Sequence, residues 1–196
     1  MGWLRRGILA ALTLLVIGCA QLPGFEPAPP PVVLALSAPP ESFRLEGRVS
    51  VKAGEESFSG GLIWRRGAGS EELLLNTPLG QGVAELRGDP DGVTLTDAKG
   101  KVYRAPDADA LVHQALGLEL PLRGLAWWVM GHPRPGAAYR AEPDGTGRLG
   151  ALEQDEWRIE FSRYALQGKT TLPGKLVARR GEALEVRLVV DRWELP

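Results

Sequence analysis

Phe43, Leu45, Gly47, Val49 and Val51 alternate with Arg44, Glu46, Arg48, Ser50 and Lys52. A period of two is the mark of a strand with one face on a core or cavity and one in water. The pattern returns at Trp157, Ile159 and Phe161, set against Arg158, Glu160 and Ser162, and again at Leu184, Val186, Leu188 and Val190. Half-wet strands of this kind belong to antiparallel sheets. A slip of one residue would turn each apolar set into solvent, so register is strongly specified. Alternation separates two faces without saying which of them is inside. Trp193 and Leu195 fall out of phase with the last strand, which predicts a bulge near Asp191.

Between these segments the chain adds short apolar runs at Leu62-Ile63-Trp64 and Leu73-Leu74-Leu75, then strands over Val83–Arg87 and Val93–Thr96. Asp97-Ala98-Lys99-Gly100 is a turn before Val102-Tyr103. The period then changes. Asp107 can cap a helix from Ala108 to Leu116 that Gly117 stops. Pro121 opens a second helix, with Leu122, Leu125, Ala126 and Val129 on one stripe and Gly131 at its end. Strands follow, with turns at Asp144-Gly145 and Arg180-Gly181-Glu182. Strands, two helices, strands: the fold class is α+β, one curved antiparallel sheet with its helices on one side.

The amino terminus is of another kind. Arg5 and Arg6 precede an apolar run, Ile8 to Ile17, broken only by Thr13. At about ten residues it has the length of a signal-peptide core and is short for a membrane span. It ends at Val16-Ile17-Gly18-Cys19, which resembles the lipobox of bacterial lipoproteins. The resemblance implies cleavage before Cys19, lipid on its thiol and acylation of the new amine; Ala20 in the next position implies sorting to the outer membrane. Residues 20–41 hold Pro23, Pro27, Pro29, Pro30, Pro31, Pro39 and Pro40, a density that favours extended polyproline II. Such a stretch reaches on the order of 60 Å. The expected organisation is a signal peptide over 1–18, a lipidated tether over 19–41 and one domain over 42–196.

Several function classes are excluded or disfavoured. The chain's 196 residues carry a net charge of −1, and loss of residues 1–18 with their two arginines leaves −3. That balance has no footprint for nucleic acid. The lone cysteine permits no internal disulfide. His113 and His132 stand far apart with no metal-ligand spacing, so no metal or other cofactor is expected. Neither a nucleophile elbow, a phosphate loop nor a dinucleotide fingerprint is present, and no catalytic residue is assigned. Trp64, Trp127, Trp128, Trp157 and Trp193 can fill a core or line an apolar cavity.

Phe43-x-x-x-Gly47-Arg48, Trp64, Glu72-Leu73-Leu74-Leu75-Asn76-Thr77-Pro78-Leu79-Gly80, Leu116-Gly117-Leu118-Glu119-Leu120-Pro121-Leu122 and Leu125-Ala126-Trp127-Trp128-Val129-Met130-Gly131 follow one another in order. With Gln154, Trp157, Tyr164, Pro173 and Asp191-Arg192-Trp193, this set resembles the LolB family of outer-membrane lipoprotein receptors. The resemblance implies an incomplete, half-closed antiparallel β-barrel of about eleven strands, with a helical lid over an apolar cavity. It also implies a role in lipoprotein transport. Members accept lipoproteins from a LolA-like periplasmic carrier and place them in outer-membrane lipid, without ATP or metal. The expected protein is a monomer anchored by lipid with its domain facing the periplasm.

Leu45, Val49, Val51, Trp64, Leu75, Trp128 and Trp157 are the candidate residues of the acyl cavity. Thr77-Pro78-Leu79-Gly80 is a turn sequence. Leu79 either protrudes from it or folds back onto the rim, and the resemblance favours a protruding membrane-insertion loop of Pro78, Leu79 and Gly80. A structural envelope scaffold without a lipid cavity is the alternative reading. The related soluble carrier would lack a lipidated cysteine, and an envelope enzyme would need a catalytic constellation.

Overall fold

A computed structural model describes residues 34–36, 38–67, 69–117 and 119–195. The expected signal peptide, Cys19 and most of the tether lie outside the described residues. Val32–Pro196 forms a compact unit of its own, and its core runs from Phe43 to Trp193. The determinants of folding therefore sit within it.

The strands are β1 (Phe43–Ala53), β2 (Glu56–Gly67), β3 (Ser70–Asn76), β4 (Gly82–Asp89), β5 (Gly92–Asp97) and β6 (Val102–Ala105). Helices α1 (Ala108–Leu116) and α2 (Leu122–Trp128) follow. Then come β7 (Tyr139–Pro143), β8 (Leu149–Gln154), β9 (Trp157–Ser162), β10 (Ala165–Gln167), β11 (Thr170–Leu172), β12 (Lys175–Arg180) and β13 (Leu184–Glu194). Eleven strands make one sheet in the order β6-β5-β4-β3-β2-β1-β13-β12-β9-β8-β7, and β10 and β11 pair separately. Neighbouring strands are antiparallel throughout. The edge strands β6 and β7 do not pair, so the barrel stays open. In the chain α1 and α2 lie between those two edges.

Local chemistry accounts for these elements. The Asp107 side chain accepts from the Ala110 N–H at 2.9 Å, and Gly117, at φ 69°, closes α1 by donating to the His113 carbonyl. The bulge expected near Asp191 is present: Glu46 faces Arg192 while Gly47 faces Val190. Gly47 is required there, because a Cβ would stand 2.3 Å from the Val189 carbonyl oxygen.

The inward face of β1 is that of Leu45, which is fully buried. Phe43 packs edge-on against Trp64 and Trp193, with ring centres 5.9 and 5.5 Å away. α2 lays Trp128 against Trp157, and the Trp128 Nε1–H donates to Gln154 Oε1 at 2.9 Å. A buried indole needs such an acceptor. Leu34 packs on the core, and the Ala35 N–H donates to the Gly147 carbonyl at 2.9 Å, so the chain enters beside the β7–β8 turn. Among the described residues no helix is long and apolar enough to cross a membrane.

Candidate functional site

The strand register divides the sheet into two rims. One holds the chain entry at Phe43, the end of β13 and the ends of β9 and β12 that face each other at Ser162 and Lys175. The other holds the β1–β2 turn, the β3–β4 turn and the β5–β6 turn. An apolar cavity of about 300 Å³ opens at this second rim. Val51, Phe58, Leu75, Val83, Ala84, Leu95 and Tyr103 supply its sheet side; Ala115 of α1 and Leu120 from the α1–α2 link close it from above. Its volume is at the lower end for ligand pockets. Glu56, Ser57 and Asp97 are its polar lining. Asp97 is held in place by N–H donation from Lys99 at 2.8 Å and Lys101 at 2.9 Å.

The lid is fastened by polar contacts. Asp109 of α1 accepts from the Arg123 backbone N–H and from Arg123 Nε, both at 3.0 Å, tying the two helices together. Glu119 in the link pairs with Arg180 of β12. On the sheet, Arg66 donates to the Ala126 carbonyl at 3.0 Å and lies 5.1 Å from the Trp127 ring centre. Burial pushes the neighbouring Glu71 carboxyl above its ordinary value, against the opposing effect of the Trp64 N–H that donates to it. A larger groove of about 790 Å³ lies on the first rim, but Arg44, Arg65, Glu72 and Glu194 line it and pair with one another. Phe43 and Leu195 are the large apolar residues of its lining, beside this charged set.

The β3–β4 turn is closed by its own hydrogen bonds. Gly80 N–H donates to the Thr77 carbonyl at 2.9 Å, Thr77 N–H to the Gln81 carbonyl at 2.8 Å, and Gln81 N–H to Thr77 Oγ1 at 3.2 Å. Pro78 presets the bend and Gly80 takes φ 83°. Leu79 between them is 89% exposed, the most exposed large apolar side chain of the described residues. Leu75 and Val83, on either side of the turn, both line the cavity.

Of the candidate cavity residues, Val51 and Leu75 lie on that lining. Leu45, Trp64, Trp128 and Trp157 are buried in the solid core instead, and Val49 is a half-buried residue packed against it. All of the strand residues among them face inward. Two packed regions account for the difference: towards the entry rim the Phe43–Trp64–Trp193 cluster fills the interior, and at the second rim Trp128 and Trp157 fill the β8–β9 side, leaving the apolar space beside β2–β6. Sequence reasoning missed Phe58, Val83, Ala84, Leu95, Tyr103, Ala115 and Leu120. Ala84 and Leu95 could have been placed by following alternation inward from Leu75, since Ala84 pairs with Leu75 and Leu95 with Leu86. Among the described residues no group of three or more His, Cys, Asp and Glu side chains could hold a metal.

The fold resembles that of two solved structures. A LolA superfamily protein from Nitrosomonas europaea aligns with a TM-score of 0.52 at 8% identity, over 81% of this chain and 88% of that one. A DUF1329 family protein from Desulfovibrio piger aligns with a TM-score of 0.53 at 9% identity, over 80% and 86%. Sequence relatives are nearer. The outer-membrane lipoprotein LolB of Thiobacillus denitrificans is 39% identical over 190 residues, 97% of each chain. That of Pseudomonas fluorescens is 38% identical over 154 residues, 79% of this chain and 75% of the relative. The family profile described as outer membrane lipoprotein LolB matches residues 41–193. The chain belongs to the LolB family.

Proposed function

We propose that this protein is a lipid-anchored receptor of the outer membrane, facing the periplasm, that takes lipoproteins from a LolA-like carrier. It holds their acyl chains in the cavity under α1 and passes them to outer-membrane lipid. In this reading residues 1–18 are removed, Cys19 carries the anchor, 19–41 is the tether and 42–196 the receptor domain, acting as a monomer. Leu79, presented by Pro78 and Gly80, leads the client into the bilayer.

One observation carries the reading: the cavity and the protruding leucine share a rim, joined through Leu75 and Val83. An acyl chain leaving the cavity passes directly over the turn. Holding such a chain needs only apolar area, at about 0.8 kcal/mol per buried methylene. Release needs only a next site of higher net affinity. No bond is made or broken, so the reading assigns no catalytic residue and asks for no cofactor.

Ala84→Trp tests the cavity. Its methyl group lies on the lining, and an indole there occupies much of the available volume. Uptake of a long-chain fluorescent acyl probe by the domain is expected to weaken at least tenfold, with a stability cost held to the ~1–3 kcal/mol of overpacking. Uptake equal to that of the unsubstituted domain would contradict the cavity and favour the scaffold.

A further inference from the structure

Residues 162–175 contain Arg163, Lys169 and Lys175 and no acidic residue, in a chain whose net charge is −1. This segment is the separate β10–β11 hairpin with its two flanks. Elsewhere most arginines of the sheet stand on carboxylates, as Arg48 does on Asp191 and Arg179 on Glu160 and Glu185. Asp144, on the turn packed against Tyr164, is taken by Arg148 at 2.9 Å. The hairpin's apolar residues are divided. Leu172 is buried and fixes it to the body, whereas Leu166 is 70% exposed, second only to Leu79 among large apolar side chains of the described residues.

Its place in the fold gives this patch a setting. The hairpin rises from the entry rim, between Ser162 and Lys175. The Tyr164 hydroxyl donates to the Leu149 carbonyl at 2.7 Å, and Ala35 is bonded to Gly147 on the same turn. The segment that leads back to Cys19 therefore joins the domain beside the hairpin. Leu79 and the cavity mouth are on the opposite rim.

We propose that the β10–β11 hairpin is a second lipid contact, in which Leu166 enters the headgroup boundary while Arg163, Lys169 and Lys175 lie on anionic headgroups. The proposal rests on the anchoring reading above and extends it. An exposed leucine on a short segment with three cations and no carboxylate matches an anionic lipid surface in both chemistries, apolar beneath and negative above. Because the two rims are opposite, this contact and insertion of Leu79 exclude each other. Between deliveries the hairpin keeps the cavity mouth turned towards the periplasm, where a carrier can reach it, and the domain turns over to deliver.

The test uses the full lipidated chain in vesicles of phosphatidylcholine and phosphatidylglycerol that bear a headgroup-linked spin quencher. A fluorophore is placed at Thr171→Cys, exposed and paired with Leu166, or at Glu55→Cys on the opposite rim. The Thr171 label is expected to be quenched and the Glu55 label is not. Lys169→Ala should weaken the contact equilibrium about fivefold, the value of one basic residue at an anionic surface. Omitting phosphatidylglycerol or raising salt should weaken it further, and Leu79→Ser, which disfavours the competing orientation, should not weaken it. Flotation of the same samples reads anchoring separately, so a failed anchor is distinguished from a failed contact. Equal quenching of the two labels in floating vesicles, or quenching indifferent to Lys169 and to lipid charge, would overturn the proposal. A Thr171 label that stays bright on anionic vesicles would do the same and give the patch to an acidic protein.

Discussion

Leu79→Glu is expected to leave the domain folded and loaded while stopping delivery. The Thr77–Gly80 turn is closed by backbone bonds and by Thr77 Oγ1, none of which uses the leucine side chain. At 89% exposure that side chain has almost no packing to lose, so the melting temperature should move little. The cavity is lined by other residues, and uptake from the carrier should persist. Delivery is different. A carboxylate costs about 2 kcal/mol or more to bring into hydrocarbon, and the loss of the leucine's own transfer energy adds to this. Together these predict at least a thirtyfold slower appearance of client in liposomes. Leu79→Ala should fall between the two, since it removes apolar area without adding charge. Unchanged delivery by the glutamate variant, or a large fall in its melting temperature, would show that Leu79 serves packing alone.

Cys19→Ala should have an all-or-none effect of a different kind. Lipid attachment requires the thiol, and this chain has no other cysteine. The variant should incorporate no labelled palmitate, keep residues 1–18, and lose its place in the outer membrane. Its domain should still fold, because the core is confined to the Val32–Pro196 unit. One myristoyl-length chain gives only reversible attachment, whereas stable anchoring takes more than one signal; a multiply acylated cysteine meets that need. Palmitate incorporated into the alanine variant would refute the assignment.

The parts of the fold that are legible in the sequence are those that meet water on one face. β1, β9 and β13 alternate because Arg48, Arg158 and Arg187 point out while Leu45, Ile159 and Leu188 point in. The bulge at Asp191 is visible as a break of phase, and α1 through Asp107 and Gly117. β8 and β12 give no such signal. Leu149, Ala151 and Leu152 in one, and Leu176, Val177 and Ala178 in the other, are buried in close succession, so both faces are covered and alternation disappears. β7 is an exposed edge whose Arg140, Glu142 and Pro143 read as loop.

The cavity shows a further limit of the same kind. Leu45 and Val51 share a strand and a face, yet one is sealed in the core and the other lines open space. Periodicity reports which face a residue is on and carries nothing about its height along the barrel. Whether the interior is filled at a given position depends on where bulky residues from distant segments, such as Trp128 and Trp193, come to rest. The Pro78-Leu79-Gly80 turn is legible because Pro and Gly specify backbone angles locally. The lid contribution of Ala115 and Leu120 is not, because it is set by how α1 and its link pack over the sheet.

Receipt of acyl chains from a carrier by the cavity of this domain is tested most directly in a transfer experiment. A LolA-like carrier loaded with a radiolabelled lipoprotein is mixed with excess Val32–Pro196 domain, in the absence of nucleotide, and the two proteins are separated. The label is expected to move to the domain, Ala84→Trp to prevent the move, and Leu79→Glu to permit it. Label that remains on the carrier while the domain stays folded would contradict a receptor cavity for acyl chains.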